Sequence, residues 1–322
     1  MIAILSGGTG TPKLIQGIKN VYNPSDLNII VNTVENDYFS GVYVAADIDT
    51  VLYTLADIIN DETWYGIKGD TFFTNESLEK LDCPELLRIG DQDRATKIQK
   101  TILMEKYGLS KAVDIQRKKM GIESKVIPMS DEHSEIIVKT DIGHLKFHEF
   151  LIKHQTKPKV FEIEYTDVNP SSNIIETIEN SEMVIIGPSN PITSILPIVN
   201  LEGVEKALKN SYVVAVSPII GNNPVSGPAG KFMESMGYEV SSFGVASIYK
   251  SFLDKFVIDV VDTKLKNNIE NIIEEVLVTN TNMKTISDKE ELARILLEWL
   301  KYIKIYLSNN NKKDKCDEKV LV

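Results

Sequence analysis

The opening of the chain constrains its fold more than any other stretch. Ile2-Ala3-Ile4-Leu5 is a short apolar run, and Ser6-Gly7-Gly8-Thr9-Gly10-Thr11-Pro12-Lys13-Leu14 follows it directly, with Leu14, Ile15 and Ile18 at helical spacing. A buried strand, a glycine turn and a helix N-terminus in that order form an anion-binding site. The turn presents backbone amides, and the helix dipole adds partial positive charge. Two common phosphate loops fail against it. A dinucleotide fingerprint read from Gly8 meets Lys13 where its third glycine belongs, and a P-loop needs Gly-Lys-Ser/Thr where this chain has Pro12-Lys13-Leu14. Pro12 suits the first turn of a helix. Lys13 reads either as a point charge for phosphate or as a solvated helix lysine. The loop itself reads as a phosphate site, against a tight turn with no ligand.

Alternating strands and helices at both ends of the chain give the fold class. Buried parallel strands are expected at Ile2–Leu5, Leu27–Val31, Met183–Ile186 and Tyr212–Val216, with helices at Pro12–Asn20 and Leu201–Lys209. That pattern predicts an α/β, doubly wound, Rossmann-like parallel sheet, with residues 1–60 and 168–307 as its nucleotide-binding core. Residues 61–167 read as an inserted, smaller α+β region. It has helices at Glu76–Leu81, Arg94–Lys106 and Leu109–Met120, then strands at Lys125–Met129, Glu135–Thr140, His144–Phe150 and Lys159–Tyr165. Asp141-Ile142-Gly143 marks a hairpin there. A strand at Phe256–Val261 and an amphipathic helix over Asp288–Tyr306 follow, and 308–322 reads as a disordered tail.

Composition excludes several function classes. A net charge of −11 lacks the basic footprint of a nucleic-acid surface. Two distant cysteines, Cys83 and Cys316, form neither a disulfide framework nor a four-cysteine zinc site. No apolar stretch reaches the roughly 20 residues that span a bilayer, and no basic-then-apolar leader precedes Ile2. The expectation is a soluble cytoplasmic protein with neither nucleic acid nor membrane as partner. His133, His144, His148 and His154 include one same-face pair but no zinc-like set, and no Gly-x-Ser-x-Gly elbow is present.

Ligands of an open α/β sheet bind beyond the carboxyl ends of its strands. Besides the glycine loop, Asn32–Asp37, Gly187–Ser194 (with Ser189 and Asn190) and Ser217–Asn222 running on to Pro224–Gly230 (with Gly227) fall there. These loops expose amides and hydroxyls that suit a base, a ribose or phosphate oxygens, although each alone also reads as an ordinary turn. Asp47-Ile48-Asp49-Thr50 precedes the helical pattern Val51, Leu52, Leu55, Ile58, Ile59. Asp49 reads as that helix's cap, or Asp47 and Asp49 read as ligands of Mg²⁺ or as acceptors of a hydroxyl proton. In Gly90-Asp91-Gln92-Asp93-Arg94, Asp91 is a natural cap, and Arg88 and Arg94 are candidate phosphate or carboxylate partners.

Taken together, these segments closely resemble the 2-phospho-L-lactate transferase family of deazaflavin coenzyme F-420 biosynthesis. The matching pieces are Ser6–Leu14, Asn32-Thr33, Asp47–Tyr53, Gly90–Thr96, Pro128–Asp131, Gly187–Ser194, Ser217–Gly221 with Pro224–Gly230, and Glu239–Val245. Two departures stand out. Asn36 occupies a place where the family often has an acid, with Glu35 or Asp37 as its substitute, and Leu145–Phe150 matches only in part, so no role passes to His148. The resemblance implies transfer of a phospholactyl group from lactyl-2-diphospho-5'-guanosine to 7,8-didemethyl-8-hydroxy-5-deazariboflavin, with release of GMP. An enolpyruvyl donor serves some relatives.

It further implies Mg²⁺ as cofactor and a homodimer. Asp47 and Asp49 would serve as catalytic and metal-binding carboxylates, and Asp49 with Arg88 would contact the deazaflavin. Gly7, Gly8, Thr9, Gly10, Thr11, Lys13, Ser189, Asn190, Ser217 and Gly227 would hold the nucleotide phosphates. A non-catalytic nucleotide-sugar-binding regulator of the same fold is the competing reading. An NAD-dependent oxidoreductase is disfavoured by Lys13 at the third glycine position.

Overall fold

The structure, a computed structural model, describes residues 1–225 and 227–299. Seven strands form one parallel sheet: β1 (Ile2–Ser6), β2 (Leu27–Val31), β3 (Lys125–Pro128), β4 (Met183–Ile186), β5 (Val213–Val216), β6 (Lys255–Asp259) and β7 (Glu275–Thr279). Their spatial order is β3-β2-β1-β4-β5-β6-β7, with β1 between β2 and β4. This is the 3-2-1-4-5-6 order of a dinucleotide-type sheet with one strand added, and the order reverses at the β1/β4 boundary. The α/β, doubly wound reading holds.

Both faces of the sheet are covered, which is why its central strands read as continuous apolar runs. Ile2 and Ile4 of β1, Met183 and Ile185 of β4, and Val214 and Val216 of β5 face one core. That layer includes α1 (Gly10–Val21), α2 (Ala46–Leu55) and residues 286–299 of the C-terminal helix, contributing Leu14, Ile15, Ile48, Val51, Leu292 and Leu296. Ala3, Leu5, Val184, Ile186, Val213 and Ala215 face the opposite core. There they meet Ile174, Ile178, Val204, Leu208, Phe232 and Val245 from short helices.

The middle of the chain is divided between these layers. Helices α3 (Phe73–Lys80), α4 (Asp91–Tyr107) and α5 (Leu109–Lys119) precede Lys125–Pro128. That strand was expected inside the inserted region, but it pairs in parallel with β2 and forms the edge of the main sheet. Leu109, Val113 and Val126 accordingly join the α1 side of the core. Ile136–Thr140, Gly143–Lys146 and Val160–Tyr165 form a separate antiparallel sheet, with Asp141-Ile142 as the hairpin turn. The strand expected over His144–Phe150 stops at Lys146, and Glu149–Lys153 winds into a π-helical turn that buries Phe150. His144 and His148 therefore share no strand face. The C-terminal helix beyond residue 299, the tail at 308–322 and Cys316 lie outside the described residues. Among the described residues, no helix is long and apolar enough to cross a membrane.

Candidate active site

The loops after β1 and β4 meet where the strand order reverses. Gly8 adopts φ +58°, a left-handed conformation that glycine takes without a Cβ penalty, and α1 begins two residues later at Gly10. A Cβ on Gly10 would overlap the Pro188 carbonyl, and one on Gly187 would overlap the Thr11 side chain. The two loops are thus in backbone contact. Ser189 fastens them: its hydroxyl lies 2.6 Å from Thr11 Oγ1, donates to the Gly7 carbonyl and accepts from the Gly7 amide at 3.3 Å. Asn190 Oδ1 accepts the Ile192 and Thr193 amides at 3.0 and 3.3 Å. Ser217 closes a local turn, donating to the Ile219 carbonyl at 2.8 Å. These three polar side chains hold loop geometry with their own hydrogen bonds. Gly227, at φ +62°, has open space around its Cα.

Asp47 sits beneath the glycine loop, 4 % exposed. Asn32 Nδ2, at the end of β2, donates to Asp47 Oδ2 at 3.0 Å and to the Thr193 carbonyl at 3.3 Å. Burial raises the Asp47 pKa to about 6, against the opposing hydrogen bonds from Asn32 and the Gly8 amide. Glu35 is the neighbouring carboxylate. Burial, and then the Asp47 charge, push it well above the usual carboxylate range. Asp37, the other acid beside Asn36, instead lies 3.8 Å from Lys146 at the surface. His148 packs edge-on against Phe39, with ring centroids 4.9 Å apart.

Asp49 has a different environment, although it is also 4 % exposed. One of its two readings is as the cap of its helix. The helix instead starts at Ala46, leaving Asp49 in the first turn, where Oδ2 accepts the Ala45 amide at 3.3 Å. Lys100 donates to Asp49 Oδ1, and Lys97 Nζ stands 3.3 Å from Oδ2. Lys97 also pairs with Asp93, which accepts the Tyr53 hydroxyl at 2.7 Å. Lys97 and Lys100 are 1 % and 0 % exposed, so two ammoniums and two carboxylates are buried as one charge-balanced group. Burial pushes the Asp49 pKa up, but the Lys100 and Lys97 charges outweigh it and hold the carboxyl below its usual range.

The Gly90–Arg94 segment is capped across chain elements. Asp91 does not cap its own helix as expected: it accepts the Phe73 and Thr74 amides at 2.9 and 3.0 Å and so caps α3. Asp70 returns the contact, accepting the Gln92 and Asp93 amides at 2.8 and 2.9 Å at the start of α4. Arg94 pairs with Glu85 at 2.6 Å. Arg88 is exposed, lies over the Phe72 ring at 3.8 Å, and has no carboxylate within 4.0 Å among the described residues. Lys13 is half-buried with its ammonium 5.4 Å from the Trp64 ring centre, and burial lowers its pKa.

The family model for 2-phospho-L-lactate transferase CofD matches residues 2–297. The chain belongs to that family. A 2-phospho-L-lactate transferase of Methanothermobacter thermautotrophicus is 58% identical over 297 residues, covering 92% of this chain and 97% of the relative. The enzyme of the same name from Methanocaldococcus jannaschii is 49% identical over 307 residues, covering 93% and 98%. Among solved structures, a UPF0052-family protein from Bacillus halodurans superposes with a TM-score of 0.61 at 14% identity. It covers 92% of this chain and 98% of its own, and shares the fold. Transferase family and Rossmann-like fold agree with the resemblance read from the motifs.

Proposed function

We propose that this protein transfers the 2-phospholactyl group of lactyl-2-diphospho-5'-guanosine to the ribityl hydroxyl of 7,8-didemethyl-8-hydroxy-5-deazariboflavin, releasing GMP, in coenzyme F-420 biosynthesis. The observation that carries the reading is buried Asp47 under the glycine loop at the sheet's switch point, with half-buried Glu35 as its neighbouring carboxylate, in a chain 58% identical to an enzyme of that name. The acceptor oxygen attacks the phosphorus that bears the lactyl ester. The bond to the bridging oxygen breaks, and GMP departs with that oxygen. Such a displacement needs alignment and charge neutralisation more than covalent help. With a pKa of about 6, Asp47 is ionised at neutral pH and close enough to it to take the hydroxyl proton.

The residues fit Mg²⁺ in one place better than another. Mg²⁺ takes one or two carboxylates and completes its shell with substrate phosphates and water. Asp47 and Glu35 are neighbouring carboxylates, and the Asp47 charge adds to burial in raising the proton affinity of Glu35, so a cation entering between them would relieve that repulsion. Asp49, engaged by two ammoniums, reads as a positioning group that contacts the acceptor together with Arg88. Among the described residues, no set of three His, Cys, Asp or Glu could hold an ion, and Asp47 with Glu35 are the pair that would hold it beside the substrate. When bound, Mg²⁺ would neutralise charge on the diphosphate. A homodimer and a cytoplasmic location belong to the same reading. Incubation with donor, acceptor and Mg²⁺, followed by GMP release and acceptor mass, tests it. Product only with the enolpyruvyl donor would change the substrate. Tight nucleotide binding without product would favour the non-catalytic regulator.

A further inference from the structure

We infer that a second anion site lies beside the glycine loop, where Lys13 and Lys289 flank Trp64, and that it holds a phosphate group of the guanine nucleotide. The inference rests on the donor proposed above. A cavity of about 660 Å³ opens between α1, the turn carrying Trp64 and the start of the C-terminal helix. That is the size of an ordinary small-ligand pocket. Lys13, Gln16, Trp64, Val225, Lys284 and Lys289 line it. Lys13 belongs to the first turns of the helix headed by the glycine loop, and Val225 belongs to the loop that follows β5. The cavity is therefore continuous in sequence with the edge where the nucleotide is expected.

The lysines have no use within the fold that accounts for their burial. Lys289 is 6 % exposed, yet among the described residues no carboxylate lies within 4.0 Å of it; its ammonium donates to Gln16 Oε1 at 2.7 Å. It stands 4.5 Å from the Trp64 ring centre, and Lys13 stands 5.4 Å from the same ring. Both ammoniums are depressed in pKa by burial, and Lys289 additionally by the Lys13 charge. Two like charges drawn to one indole are costly without a counter-ion. Asp61 and Asp288 act on Lys289 from beyond 4.0 Å, but burial and the Lys13 charge outweigh them. Asp57 pairs with Lys19 at 2.5 Å, Asp61 pairs with Lys68 at 3.6 Å, and Glu62 is exposed. Trp64 itself holds φ +54°, in the left-handed region that bulky residues avoid. Strain of that kind persists where the surroundings enforce a functional placement. An oxyanion between the two ammoniums neutralises the pair and makes charge-assisted hydrogen bonds with each.

Isothermal titration of GDP, inorganic diphosphate and guanosine into the full chain tests the site, using Lys289→Gln and Lys13→Gln. Each variant should bind GDP and diphosphate about tenfold more weakly, with guanosine unchanged and a shallower salt dependence of the affinity. Lys289→Gln removes an unpaired buried charge, so its thermal midpoint without ligand should not fall, while its GDP-induced rise should shrink. Unchanged GDP affinity in Lys13→Gln, or loss of GDP binding in Lys289→Gln only through unfolding, would overturn the inference. Lysine-dependent GDP binding with no GMP formed from the donor would leave this site standing and remove the transferase reading. Full turnover with unchanged donor KM in both variants would do the reverse.

Discussion

Asp49→Asn probes the buried charge cluster most directly. The wild-type carboxylate faces Lys100 at one oxygen and Lys97, 3.3 Å away, at the other. The substitution leaves Lys97 with Asp93 but strips Lys100, fully buried, of its counter-charge. Breaking a buried ion pair by removing one partner costs about 3–5 kcal/mol. That is a large share of the roughly 5–15 kcal/mol that holds a typical domain folded. At about 2–4 °C per kcal/mol for a chain of this class, the thermal midpoint should fall by on the order of 10 °C.

Lys100→Met placed in the same chain removes the orphaned ammonium and should recover most of that loss. The double-mutant cycle isolates a coupling of about 2–3 kcal/mol. The assay is calorimetry of the four proteins at pH 7, alongside GMP release from each. Because Asp49 is argued to contact the acceptor, the stable double variant should remain inactive. A loss below about 1 kcal/mol for Asp49→Asn, with no recovery from Lys100→Met, would refute the electrostatic account. Recovered activity in the double variant would make Asp49 structural only. Since lysine contacts lower its pKa, the Asp49 contribution is present above the unfolded carboxylate range and is lost as pH falls through the folded value.

Further expectations follow from the same geometry. Asp47 has a folded pKa of about 6, above its unfolded value, so its contribution to stability is present below about pH 4 and is lost as pH rises through 6. Asp47→Asn should therefore raise the ligand-free thermal midpoint at pH 7 while abolishing turnover, and a fall in that midpoint would contradict the burial cost argued for the carboxylate. Turnover should decline below about pH 6 as Asp47 gains its proton, a limb visible in a pH–rate profile. Gly10→Ala would drive a methyl group into the Pro188 carbonyl. It should cost about 2 kcal/mol or more and weaken nucleotide binding, checked by urea unfolding and GDP titration. Ser189→Ala frees the Gly7 amide and Thr11 from their common partner and should cost about 1–3 kcal/mol by the same unfolding measurement.

The sheet was legible because strands covered on both faces must be apolar throughout, as Ile2–Leu5 and Met183–Ile186 are. The placement of Lys125–Pro128 was not, because its exposed Lys125 and half-buried Ile127 read like the alternating strands that follow it. The π-helical turn at Glu149–Lys153 was missed for a related reason: Phe147 and Phe150 are buried at a spacing that a strand with a register slip would also show. At the site, the glycine loop announced itself through spacing alone. The difference between Asp47 and Asp49 did not, since it is made by residues distant in sequence, Asn32 and the Gly8 amide for one, Lys97 and Lys100 for the other.

One signal was present in α4. Asp93, Lys97 and Lys100 recur at helical spacing and are buried, while Ile98 and Ile102 of the same helix are exposed. An inverted polarity of that kind marks a helix whose buried face carries charge instead of apolar side chains. Glu35 was legible only as one of the two acids beside Asn36, and the loop after β2 decides between them by bringing Glu35 to Asp47 and Asp37 to Lys146.

The central claim is the reaction. Purified protein should be given Mg²⁺, the deazaflavin acceptor and lactyl-2-diphospho-5'-guanosine, and followed for GMP and for acceptor mass. The account predicts metal-dependent GMP release matched one-for-one by acceptor gaining a phospholactyl group, and neither in Asp47→Asn. GMP released without acceptor modification, or wild-type turnover in Asp47→Asn, would contradict it.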